Sequence, residues 1–207
     1  TLEDYASLAR AALALFEATQ DTAYLDRAEA WAADIEAHFA DEGRGYFLSA
    51  DDVGDVILRT KPVYDNATPS GNGLLLHVLA RLYYLTGNDD YRVRADALIK
   101  AFSGELERSA LGMPVLIAGN ELLTQAVQVA IVGPTDDTGA LAEAAHRSGE
   151  PNLILQQVPD GDTLPRDHPA HGKTTVEGVP AAYVCRGTLC TLPITDPAKL
   201  AEELTHY

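Results

Sequence analysis

Six polar side chains stand near the starts of two apolar segments. Asp4 and Tyr5 open the first, and Asp65, Asn66, Ser70 and Asn72 lead into the second. Two carboxylates across a sugar-sized cleft can serve as general acid and general base, while a phenol, amides and a hydroxyl hold the substrate's own hydroxyls. On this reading Asp4 and Asp65 are the candidate catalytic residues, and Tyr5, Asn66, Ser70 and Asn72 the candidate substrate-binding residues. The competing reading is that Asp4, Ser70 or Asn72 only caps a helix. An interior carboxylate with a raised pKa supports the first, and one hydrogen-bonded as a cap supports the second.

Cys185 and Cys190 flank Arg186-Gly187-Thr188-Leu189. A hairpin over those four residues brings the cysteines opposite one another, within reach of a disulfide. They form a possible redox pair, although the spacing is not C-x-x-C and no helix start lowers either thiol's pKa. Two structural thiols are the favoured reading. A zinc site would need His168 and His171 to meet both cysteines, and no metal is assigned. Asp51-Asp52 is an acidic turn that can attract a cation but reads as exposed surface. Gly133-Pro134-Thr135 lies between a strand and a helix, where phosphate can bind, yet lacks the glycine spacing and lysine of nucleotide loops. Asn66-Ala67-Thr68 has the form of a glycosylation sequon and is read as chance. No cofactor is assigned.

The elements that position these residues repeat. Leu2 to Gln20 reads as a helix, with Leu8, Ala11, Ala12, Leu15 and Phe16 on one face. After the turn at Asp21-Thr22, Ala23 to Phe39 forms a second helix through Leu25, Ala28, Trp31, Ala32 and Ile35, ended by Gly43 and Gly45. A shift of 67 residues sets Leu15-Phe16 on Leu82-Tyr83, Thr19 on Thr86, Asp21 on Asn88 and Tyr24 on Tyr91. The same shift sets Ala28 on Ala95, Ala30 on Ala97 and Ile35 on Phe102. This is an internal repeat of helical hairpins, in which each unit buries a face on its neighbours.

Between the hairpins, 45–48 and 56–58 read as short strands, and 61–73 as a loop delivering the chain to the next helix. Such long excursions predict an α/α toroid, with one helix of each hairpin lining a cavity. Two hairpins, with part of a third around Pro114 to Gln125, do not close a ring. The exposed hairpin faces predict self-association as a homo-oligomer, or rearranged hairpins. From Ala126 the period changes. Strands at 126–132 and 152–158 bracket a helix from Asp136 to about Ser148, which suggests a parallel pair. A polar loop covers 160–178, a third strand 181–185, and Asp196-Pro197 starts a closing helix. The fold class is therefore mainly α with a small α/β part: 1–125 as hairpins of an incomplete (α/α)6 toroid, and 126–207 as an α/β subdomain.

With 31 acidic against 15 basic residues, the formal charge is −16. That surface repels phosphate backbones and anionic lipid, so no nucleic-acid or membrane partner is expected. No apolar run reaches 18 residues, and no basic stub with an apolar stretch opens the chain. With only two cysteines, these features predict a cytoplasmic location. The first residue is Thr1, which fits a fragment or a trimmed tag.

Leu2-Glu-Asp-Tyr-Ala6, Gly45-Tyr-Phe-Leu-Ser-Ala-Asp-Asp52, Lys61-Pro-Val-Tyr-Asp-Asn-Ala-Thr-Pro-Ser-Gly-Asn72, Ala181-Ala-Tyr-Val-Cys-Arg186 and Pro193-Ile-Thr-Asp-Pro197 occur in this order. Together they resemble the C-terminal half of the spermatogenesis-associated, thioredoxin-domain-containing proteins. The resemblance spans essentially the whole chain. It implies an upstream thioredoxin-like domain and a toroid similar to those of N-acylglucosamine 2-epimerases and six-hairpin glycosidases. The histidine pair of a 2-epimerase is not evident, since His38 and His77 lie on helices without a shared site. Fold analogy is a weak guide to chemistry. The expectation is a toroid cavity that binds a carbohydrate or similar polar metabolite; the alternative is a non-enzymatic scaffold that positions a thioredoxin-like domain for protein clients. An open polar cavity favours the first, and an apolar-filled one the second.

Overall fold

The computed structural model describes residues 1–42 and 44–205. It divides into two compact units: Thr1–Tyr83 with Asn88–Thr124, and Tyr84–Gly87 with Gln125–Tyr207. Among the described residues there are eight α-helices and one four-stranded sheet, so the chain is mainly helical with a small α/β part. No described helix is long and apolar enough to cross a membrane.

The first unit carries the repeat. Helix α1 (Leu2–Thr19) runs into α2 (Thr22–Phe39), and α3 (Gly71–Thr86) runs into α4 (Asp89–Ala101). In both turns a short polar side chain caps the second helix: Asp21 accepts from the Ala23 N–H and Asn88 from the Asp90 N–H, each at 3.0 Å. These are the two residues that the 67-residue shift superposes. Ala28 and Ala95, also superposed, are both fully buried, as small residues must be where helices pack closely. Helix α3 is apolar all round at its centre, and Leu75, Leu76, Leu79 and Leu82 are buried completely. Ion pairs tie the hairpins together: Glu17 with Arg81 between α1 and α3, and Glu36 with Arg94 at 2.7 Å between α2 and α4. Helices α5 (Ser103–Ser109) and α6 (Pro114–Gln125) complete the unit.

Two expectations change here. Helix α1 buries Leu2, Ala6, Ala9, Leu13 and Phe16, while Leu8 and Leu15 remain 49% and 45% exposed. The predicted face was phased one step away, because α1 is alanine-rich and offers apolar residues on several sides. The segments 45–48 and 56–58 are not strands. Tyr46 makes a single bridge to Ala40, and the segment is held instead by scattered bonds such as Leu48 N–H to Thr60 O, 2.7 Å. Ile57 and Leu58 face solvent and have no apolar surface to pair upon. Helix α2 ends at Phe39, as the sequence predicts, where Ala40 turns to extended backbone. Gly43 lies outside the described residues. Gly45, at φ +84°, passes so close to Phe102 that a Cβ would sit 2.8 Å from its ring.

The second unit is a sheet in the order β2-β1-β3-β4, built from β1 (Val127–Val132), β2 (Leu153–Val158), β3 (Ala181–Arg186) and β4 (Leu189–Cys190). β1 and β2 are parallel, as the strand–helix–strand pattern predicts, with α7 (Gly139–Arg147) between them in sequence; β3 and β4 are antiparallel to their neighbours. β1 is paired on both sides and wholly buried, hence its unbroken apolar run. Val127, Val129 and Ile131 point to one face, where they pack with Leu141 and Ala145 of α7 and Leu200 and Leu204 of α8 (Pro197–Thr205). Ala130 and Val132 point to the other, covered by Leu164 and Ala170 from the 160–178 loop. Asp196 caps α8 through the Ala198 N–H at 2.9 Å, with Pro197 as its first residue. Helix α7 starts three residues later than expected, because Thr135–Asp137 forms a 3-10 turn first.

Candidate functional site

The residues singled out from sequence separate into anchors and exposed groups. Asp65 is fully engaged: one carboxylate oxygen accepts from the Ser70 N–H at 2.7 Å and the other from the Val115 N–H at 2.8 Å. It thereby folds the 65–70 loop and caps the first turn of α6. Ser70 Oγ accepts from the Gly73 N–H and caps α3. Asn72 is fully buried; its amide NH2 donates to the carbonyls of Tyr46 and Pro62, and its carbonyl accepts from the Tyr46 N–H. These three side chains hold the loop 61–73 to the 45–48 segment and to the starts of α3 and α6. Asn66 is exposed, and its backbone N–H bonds to the Thr68 carbonyl.

Asp4 lies at the start of α1, exposed, and accepts from both the hydroxyl and the amino group of Thr1. The Thr1 hydroxyl, followed by that positive amino group, holds its carboxyl below the usual range. This is the geometry of a cap. Tyr5, one residue on, faces a cleft of about 320 Å³ in the helical unit.

That cleft gathers groups from three segments. Tyr5 comes from α1, His38 and Phe39 from the last turn of α2, and Ser49, Asp52 and Val53 from the segment after it. The Tyr5 and Phe39 rings lie 5.5 Å apart and tilted; Phe39 is buried behind Tyr5, so Tyr5 is the ring that can meet an apolar ligand face. The same cleft holds an imidazole, a hydroxyl and a carboxylate. His38 Nδ1 lies 3.0 Å from Asp51 Oδ1. The His38 carbonyl also accepts from the Asp51 N–H at 3.0 Å and from the Arg59 guanidinium at 2.8 Å, which fixes the acidic turn against the helix end. The bond to Asp51 raises the His38 pKa above its ordinary 6.5, and the same bond depresses that of Asp51. His38, Asp51 and Asp52 each offer one ligand atom within 4.8 Å of the others, and among the described residues they are the group that could share a metal ion.

The signal for His38 was present in the sequence but spread over 13 residues: a histidine in a helix's last turn and an acidic pair beyond it. Nothing in the spacing shows that 40–50 folds back. A second, smaller cleft of about 200 Å³ is walled by Glu36, Tyr46 and Arg94. There the Tyr46 hydroxyl donates to Glu36 at 2.8 Å and accepts from Arg94 at 3.3 Å, and burial pushes its pKa up to about 12. His77 stands apart on α3, where burial and then Arg10 and Arg81 lower its pKa to about 4, so it is neutral.

In the α/β unit the two cysteines are paired in a disulfide, which corrects the favoured reading of two free structural thiols. They occupy directly opposed positions of β3 and β4, so the hairpin itself places them together. While that bond is formed, neither sulfur is a thiolate that could join His168 and His171 on zinc. His168 also accepts from the Ala170 N–H, and His171 Nδ1 lies 2.9 Å from the Leu164 carbonyl oxygen.

No family model matches the chain. It is similar to spermatogenesis-associated protein 20 of Homo sapiens, at 35% identity over 98% of its length, and to that of Rattus norvegicus at 33% over the same share. A protein of Caenorhabditis elegans with no function in its name is 27% identical over 97% of the chain. The chain spans about 27% of the length of the mammalian relatives. These similarities support the family that the motifs resemble. The names of these relatives state no biochemical activity.

Proposed function

We propose that the helical unit contributes a binding cleft for a small polar metabolite of carbohydrate size, within a longer protein whose other hairpins complete an α/α toroid. The observation that carries this reading is the cleft itself. It brings the Tyr5 ring, backed by the buried Phe39, together with His38, Ser49 and Asp52. Sugars present one apolar face and a rim of hydroxyls, and a site of this composition addresses both. The cleft is open rather than filled by apolar side chains, and this favours ligand binding over the scaffold alternative, which calls for an apolar-filled cavity.

If the site is also enzymatic, its proton-transfer groups are His38 and Asp52 rather than Asp4 and Asp65. His38 is held in its protonated form to higher pH by Asp51, so it can donate a proton to a ligand hydroxyl, and Asp52 can accept one. Both Asp65 oxygens accept backbone N–H bonds, from Ser70 and Val115, and Asp65 serves the site by shaping its loop.

Isothermal titration of the full chain against a panel of neutral, amino and acidic sugars tests the proposal. Saturable binding that is lost in Tyr5→Ala and weakened at least tenfold in Asp52→Asn supports it. Heats that are absent for every sugar, or unchanged in both variants, overturn it.

A further inference from the structure

The charged groups that line the cleft are unequally matched. The Thr1 amino group pairs with Asp4 at 2.9 Å, and His38 pairs with Asp51 at 3.0 Å. Asp52 is exposed and makes neither a hydrogen bond nor an ion pair among the described residues, though it offers an oxygen within 4.8 Å of His38 and Asp51. Arg59, the cation that fixes this turn, is committed elsewhere: its guanidinium donates to the carbonyls of Ser49 and His38 and lies 4.2 Å from the centre of the Phe47 ring. The local field favours positive charge. The bond to Asp51 raises the His38 pKa, and the charges of Asp51, Asp52 and Asp34 raise it further. Even when His38 is protonated, Asp51 neutralises it and the charge of Asp52 stays unmatched. Tyr5 supplies the other half of a cation site. Its ring is half-buried and backed by Phe39, and no cation of the chain rests on it among the described residues, whereas Phe47 holds both Arg59 and Lys61. An aromatic face and an unpaired carboxylate in one cleft attract an ammonium group, the first through the ring quadrupole and the second through its charge.

We propose that the cleft selects ligands bearing a free primary ammonium group, which rests on the Tyr5 ring and pairs with the Asp52 carboxylate. The inference rests on the cleft being a ligand site, and narrows its ligand from polar metabolites in general to sugars with an unmodified amine. Acetylation of that amine removes the charge that Asp52 recognises. A carboxylate in its place carries the same sign as Asp52 and is repelled. Neutral, N-acetylated and acidic sugars are therefore the disfavoured classes.

Isothermal titration of the full chain with glucosamine, glucose, N-acetylglucosamine and glucuronate reads this selection. Glucosamine is expected to bind about tenfold or more tightly than the other three at low salt, and the margin should shrink at high salt, as an exposed ion pair is screened. Asp52→Asn should bring glucosamine to within about threefold of glucose, while Asp52→Glu, which keeps the charge, should retain most of the margin. Asp55→Asn removes an equal charge from the same segment outside the cleft and should leave the margin intact. Unchanged thermal melts show that these variants fold, as expected at exposed positions. Glucose or N-acetylglucosamine binding as tightly as glucosamine overturns the selection and leaves the cleft as a sugar site. No binding by any of the four overturns both. A margin that survives Asp52→Asn, or that falls equally in Asp55→Asn, assigns the preference to the chain's overall negative charge and overturns the proposal.

Discussion

Asn72 and His38 stand for the two kinds of polar residue in the helical unit. Asn72 is consumed by structure, because its amide satisfies three backbone groups of Tyr46 and Pro62 in a dry setting. Replacing it with alanine leaves those groups without partners, and we expect a loss of about 3 kcal/mol or more, read as a fall in the denaturant midpoint. Asp65→Ala frees two amides and should cost about 1–2 kcal/mol, since one of them sits at a helix start where water can partly replace the carboxylate. His38 is exposed, and its bond to Asp51 matters for protonation rather than folding. With the His38 pKa raised and that of Asp51 lowered, the pair's contribution is present between the two folded values. It disappears as pH rises through that of His38 and as pH falls through that of Asp51. Proton NMR of the His38 ring should show a midpoint above 6.5 that returns toward 6.5 in Asp51→Asn. A midpoint at or below 6.5 in the unaltered chain contradicts the assigned bond.

At the scale of elements, the hairpin repeat predicts matched energetics. Asp21 and Asn88 occupy the same repeat position and make the same 3.0 Å bond to the N–H two residues on. Alanine at either should cost about 1 kcal/mol, and the two losses should be similar and additive, because the caps share no partner. Thermal melts of the two single variants and the double variant check this, and a pronounced asymmetry would mean that the hairpins are not equivalent. Helices α1 to α4 and all of the sheet strands but β4 were legible because periodicity and caps are local properties. The phase of α1 was not: Leu8, Ala11 and Leu15 form as good a stripe as Leu2, Ala9 and Phe16, and only the packing partners select between them. The 40–60 segment was misjudged for a related reason. Its β-branched and aromatic residues suit strands, but among the described residues no neighbouring strand pairs with them, so Tyr46 is fixed by Asn72 and Ile57 by nothing apolar. The cleft depended on that fold-back, and for this reason Tyr5 alone among the six candidate sugar-site residues lines it. The disulfide was reachable, since a hairpin over Arg186 to Leu189 forces the contact; composition weighed too heavily against it.

For the whole molecule, two long-range effects oppose one another. Leu8 and Leu15, one above the other on α1, and the fully exposed Leu111 on the same helical unit supply apolar surface for association. The formal charge of −16 pushes copies apart. Apolar attraction acts at contact and is insensitive to modest salt, whereas repulsion between exposed charges is screened over about 10 Å at 0.1 M and about 3 Å at 1 M ionic strength. Association through the helical faces should therefore strengthen as salt is added, the reverse of what an interface built from ion pairs would do. Sedimentation velocity across a concentration series is expected to show a larger mean sedimentation coefficient at 0.5 M than at 0.05 M sodium chloride. The increase should be abolished in Leu8→Lys with Leu15→Lys, which places two cations in the stripe at positions whose exposure tolerates them. If the coefficient does not change with salt or concentration, the stripe is not an association surface for copies of this chain. If the chain associates but the double variant does so equally, the contact lies elsewhere, and the exposed pair Leu189 and Leu192 becomes the next surface to alter.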